Sequence, residues 1–147
     1  LKLLIVELQD DDLKQQLRTP DRTVHIDTIR PHIYKHRNPA GDFFIQIQDV
    51  NEKIIKNSNT LTEAQINSAD FFHGYVSFEL NASLTANTLY NISLRSTGYT
   101  FAESDYIGWC KDYELKKYDR TYPNNEGLSS ALDMEVWELK NTEKGQS

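Results

Sequence analysis

Apolar and polar residues alternate with a period of two along most of this chain, and that period, rather than the 3.6 of a helix, dictates the elements it predicts. In Val76-Ser77-Phe78-Glu79-Leu80 the apolar residues are the even-numbered ones, and in Tyr90-Asn91-Ile92-Ser93-Leu94-Arg95 they are Tyr90, Ile92 and Leu94. Each set fits a strand with one buried face. Phe43-Phe44-Ile45-Gln46-Ile47-Gln48 places Phe43, Ile45 and Ile47 on one side. Asp49-Val50-Asn51-Glu52 then turns the chain into Lys53-Ile54-Ile55-Lys56, a hairpin. Leu132 to Trp137 alternates again, whereas Tyr106-Ile107-Gly108-Trp109-Cys110 is apolar on both sides, as a covered central strand requires. The first six residues and Val24 to Ile29 are further strands. The inward set assigned in this way is Ile45, Ile47, Val76, Phe78, Leu80, Tyr90, Ile92, Leu94, Met134 and Val136.

Helical signals are few. Asp10-Asp11-Asp12 followed by Leu13 and Leu17 at i,i+4 predicts a short helix that opens on an acidic cap and stops before Pro20. Thr60-Leu61-Thr62-Glu63 has capping-box spacing, which predicts a turn or two of helix within 60–68. Six to eight short strands with turn-rich connections give an all-β fold, an antiparallel β-sandwich of jelly-roll-like type with one or two short helices. The 147 residues suit one domain, 1–147. Residues 1–22 hold the first strand and the short helix, and the polar stretch 141–147 is expected to be a mobile tail.

Charge narrows the partners. Sixteen basic and twenty-two acidic residues give a net charge of −6, and the basic ones are scattered, so a nucleic-acid partner is not expected. No apolar run approaches the ~20 residues that cross a bilayer, and no membrane partner is expected. The chain opens on Leu rather than Met, as expected of a processed or a partly ordered product. Cys110 is the single cysteine, which allows no internal disulfide, and it reads as a small buried hydrophobe.

Candidate chemistry is thin. His25, His32, His36 and His73 are the titratable groups suited to catalysis near neutral pH. His32 and His36 would share a metal only on a helix, and Pro31 with the strand pattern argues against one, so no metal site and no cofactor are expected. His73, beside Gly74, reads as a turn residue. No Ser stands in a GxSxG setting and Cys110 has no base beside it, so the chain is not expected to be an enzyme. Asp112, Glu114, Asp119, Asp133 and Glu135 are the acids from which a glycosidase pair or a calcium cage would be drawn, and they read as solvated carboxylates.

Two features point to binding. From Ser96 to Asn125 aromatic residues alternate with acids and amides, the mixture sugar recognition uses, because pyranose C–H faces stack on rings and hydroxyls need donors and acceptors. Tyr113, Tyr118, Tyr122 and Asp112 are the candidate glycan-binding residues, weighed against a reading in which the rings serve core and loop packing. Separately, alternation turns Phe44, Tyr75 and Trp137 outward, as contact with another chain would require, unless a loop of the same chain covers them. The opening strand, apolar on both faces, is expected to extend that contact by pairing with a neighbour's sheet edge.

Val76-Ser77-Phe78-Glu79-Leu80 followed by Ser83-Leu84-Thr85-Ala86-Asn87-Thr88-Leu89-Tyr90-Asn91-Ile92-Ser93-Leu94 resembles the strand, turn and strand of jelly-roll-like modules. Together with Gly41 to Asp49 and with Tyr106 to Asp112, the stretch 29–139 resembles β-sandwich domains of tailed-bacteriophage virion proteins, including capsid decoration and tail proteins. The turn carries Asn87 where glycine is common, a change that Asn absorbs in the left-handed region. The resemblance implies a virion location and protein partners, capsid or tail subunits, with the chain a homo-oligomer or bound to a lattice. It transfers no functional residues. Similar sandwiches also serve as carbohydrate-binding modules, which keeps a host-surface glycan open as an alternative ligand.

Overall fold

A computed structural model describes residues 4–9, 12–112 and 131–139. The strands are β1 (Ile5–Glu7), β2 (Leu13–Arg18), β3 (Val24–His36), β4 (Asp42–Gln48), β5 (Ile54–Asn57) and β6 (Leu61–Thr62), then, after the one-turn helix α1 (Glu63–Ile66), β7 (Phe71–Tyr75), β8 (Phe78–Leu84), β9 (Leu89–Thr97), β10 (Tyr106–Asp112), β11 (Ala131–Leu132) and β12 (Met134–Glu138). All pairings are antiparallel, and four of them nest one inside another. β4 pairs with β5, β3 with β8, β2 with β9 and β1 with β10. Such nesting deals the strands alternately into two sheets, which is the winding of a jelly roll. One sheet runs β1-β10-β3-β12, with β7 and β8 on the far side of β3 and β11 on β10. The other runs β2-β9-β4-β5, with β6 on β4.

The core lies between the sheets, and all ten residues expected to face inward are buried there. Trp109 fills its centre and donates its indole N–H to the Asp133 carbonyl at 2.7 Å. Gly108 lets β1 approach β10: a Cβ there would stand 2.3 Å from Ile5 Cγ2. Asn87 adopts φ 48°, the left-handed turn conformation expected of it. The β4–β5 hairpin turns where expected, with the Asp49 carboxylate accepting from the backbone N–H groups of Asn51 and Lys53.

Several expectations are corrected. The segment after Asp12 is strand β2, not a helix. Leu13 and Leu17 share a strand face as well as a helical one, and the residue between them on that face is Gln15, whose polarity hides the period of two. Gln15 is buried and its Oε1 accepts from the Leu132 N–H at 2.8 Å. The capping box forms two residues later than expected, between Thr62 and Gln65, because Leu61 and Thr62 extend as β6 alongside β4. β1 pairs with β10 of its own chain on one side and is the edge strand of that sheet. His73 lies within strand β7, opposite Tyr34. The tail 141–147 lies outside the described residues. No helix among the described residues is long and apolar enough to cross a membrane.

Candidate functional site: the outer face of the seven-stranded sheet

β3 is thirteen residues long and organises this face. Val24 and Ile26 point inward, a bulge between Ile26 and Thr28 resets the parity, and Ile29, Pro31, Ile33 and Lys35 point inward beyond it. Its other side therefore presents His25, Arg30, His32, Tyr34 and His36. Register with β7 brings Phe71, His73 and Tyr75 to the same side, and register with β10 and β12 adds Tyr106, Glu135 and Trp137. All four histidines of the chain thus lie on one sheet face.

These side chains form three contacting groups in a row along the face. At one end Trp137, 51% exposed, lies against the Arg30 guanidinium at 5.1 Å from its ring centroid, and Arg30 donates to Glu135 at 2.8 Å. In the middle His32 contacts Asp133 through Nδ1 at 3.1 Å and His73 Nδ1 through Nε2 at 3.1 Å, while the Tyr75 hydroxyl donates to the same Asp133 oxygen at 2.5 Å. At the far end the His36 and Tyr106 rings stack at 4.8 Å and 11°, with Phe71, 56% exposed, edge-on to His36. Tyr34 Oη lies 2.7 Å from His36 Nδ1. Burial pushes the Tyr106 phenol above its ordinary range, with nearby Tyr34 adding to the effect.

Sequence reasoning missed two parts of this face. Asp133, expected to be a solvated carboxylate, is buried and shared by His32 and Tyr75. Ser83, not singled out in the sequence, lies 3.0 Å from His25 Nδ1, while His25 Nε2 is 2.6 Å from Asn81 Oδ1. The distances are those of a base and a nucleophile, yet Ser83 and Asn81 stand exposed on β8, without the desolvated surroundings that serine catalysis uses. The usable signal was parity: His32, Tyr34 and His36 alternate with Ile33 and Lys35, and His73 and Tyr75 alternate with Phe72 and Gly74.

The remaining candidates are dispersed. Phe44 is half-buried on the outer face of the other sheet, apart from Tyr75 and Trp137. Tyr75 is itself half-buried and bonded to Asp133. Asp112 ends β10, and Tyr113, Tyr118 and Tyr122 lie outside the described residues, as do Glu114 and Asp119. Among the described residues no three His, Cys, Asp or Glu side chains are placed to hold one metal ion. No protein-family model matches the chain, and no curated protein matches it.

Proposed function

We propose that this chain is a non-enzymatic structural component of a tailed-phage virion, attached to capsid or tail subunits through the outer face of its seven-stranded sheet. The observation that carries the reading is the exposure of Phe71 and Trp137 at the two ends of a strip whose intervening polar groups are bonded to one another. Interfaces favour this composition, with aromatic and Arg anchors set among polar groups that need no new partner. The resemblance of 29–139 to virion sandwiches agrees with it. Tyr75 and Trp137 belong to this contact, and Phe44, on the opposite face, would serve a second and separate one. A host glycan is the competing ligand.

The test is co-sedimentation of purified chain with particles, beside a melting curve and a glycan array. Trp137→Ser and Phe71→Ser should weaken co-sedimentation and leave the melting temperature nearly unchanged, because exposed side chains contribute little to the intrachain core. Unchanged co-sedimentation would sink the docking face, and specific glycan binding lost on truncating Tyr113, Tyr118 or Tyr122 would favour the alternative.

A further inference from the structure

We propose that His32 and His73 form a two-imidazole site for a borderline transition-metal ion, Cu²⁺, Ni²⁺ or Zn²⁺, seated between His32 Nε2 and His73 Nδ1. The site does not depend on the docking reading above. The two nitrogens face each other at 3.1 Å, with ring centroids 5.3 Å apart and planes at 37°. Two imidazole nitrogens at ~2.0–2.1 Å from a tetrahedral ion stand about 3.3 Å apart, so once the His73 proton moves from Nδ1 to Nε2 a small ring rotation seats a metal between the rings.

The second shell has the form metal histidines use. His32 donates Nδ1–H to Asp133, which fixes the tautomer and leaves the Nε2 lone pair directed at His73. Asp133 is held in turn by the Tyr75 hydroxyl and is nearly buried, so its charge acts at short range through a weakly screened medium. Arg30, 6.0 Å from the Tyr75 ring centroid, is paired with Glu135. His73 is exposed, which gives the ion a path from solvent. Among the described residues no third His, Cys, Asp or Glu side chain joins the pair. Imidazole pairs select copper, nickel and zinc and do not satisfy calcium or magnesium, which require six or more oxygens or a rigid octahedron.

The experiment is isothermal titration of the whole chain with NiCl₂, ZnCl₂, CaCl₂ and MgCl₂, with electron paramagnetic resonance of the Cu²⁺-loaded protein. The expected result is one Ni²⁺ or Zn²⁺ per chain, no heat from calcium or magnesium, and copper coupled to two imidazole nitrogens. His73→Ala, at an exposed position that does not threaten folding, should weaken binding at least tenfold, and His25→Ala and His36→Ala should leave it unchanged. Asp133→Asn, with folding checked by circular dichroism, should weaken it by about 10- to 100-fold as the loss of an orienting carboxylate does. No binding of nickel or zinc overturns the proposal. So does binding that survives His73→Ala, or that falls equally when any one of the four histidines is removed.

Discussion

Lys35 and Glu63 offer an asymmetric test of how this fold tolerates charge in its core. The Lys35 side chain is 0% exposed and points inward from β3, where its ammonium contacts the Glu63 carboxylate at 2.6 Å and the Asn67 carbonyl. The Glu63 side chain retains 24% exposure. Removing each partner therefore leaves a different remainder. Glu63→Ala strands a fully buried ammonium on one neutral carbonyl, and breaking a buried pair in that way costs about 3–5 kcal/mol. Lys35→Met leaves a carboxylate that already reaches water and fills the ammonium's place with an apolar chain of similar volume. Water takes over the solvation of that carboxylate, so the expected change is within about 1 kcal/mol, the usual worth of a pair with a solvated partner. The double substitution should recover most of the loss seen in Glu63→Ala alone. Urea denaturation followed by circular dichroism measures all three, and at roughly 2–4 °C per kcal/mol for a chain of this size Glu63→Ala should melt about 6–20 °C lower. If Lys35→Met proves as damaging as Glu63→Ala, the ion pair itself is holding α1 to the sheet and the desolvation argument fails.

Phe78→Ala, at a fully buried position between the sheets, should cost about 3–5 kcal/mol in the same urea assay; an unchanged midpoint would mean that the core closes over the cavity. Burial, with Asp133 adding its negative charge, pushes the Cys110 thiol up to about 12. An unfolded thiol ionises near pH 8.5, so the folded form holds its proton across the interval between the two values. Stability should therefore be complete below about pH 8.5 and fall as pH rises toward 12. At pH 8 the folded thiol should react with iodoacetamide at least ~10³-fold more slowly than the urea-unfolded chain, and comparable rates would place Cys110 at the surface.

The sandwich was legible because most strands bury one face. Phe78, Leu80, Tyr90, Ile92 and Leu94 read directly as a period of two and all pack inward. β2 failed because one inward position is Gln15, an amide that stays in the core by accepting the Leu132 N–H, a bond no local pattern announces. The histidine strip failed for a different reason. His32 and His73 are 41 residues apart, and their meeting depends on the register of β7 against β3 and on the parity reset at the bulge after Ile26. Asp133 was hidden similarly, since its burial follows from where β12 takes over from β10 beside β3. Outward direction was readable for Trp137, but which outward residues share a sheet is a property of winding, and so Phe44 separated from the other two.

The nested pairing also orders events in time. The hairpin of β4 and β5 closes only a short turn around Asp49, whereas Ile5 meets Cys110 across more than a hundred residues of chain. Loop-closure entropy grows with the length enclosed, but each inner pair, once formed, shortens the effective loop that the next must close. Folding should therefore proceed from the hairpin outward, through β3 with β8 and β2 with β9, and finish with β1 against β10. A topology so dominated by distant partners belongs among the slow folders, on the scale of milliseconds to seconds. The strand that joins last, with three residues on a single neighbour, should be the first to open. In native-state hydrogen exchange the amides of Ile5 to Glu7 should lose protection well below the free energy of global unfolding, while those of β3 and β9 exchange only with it.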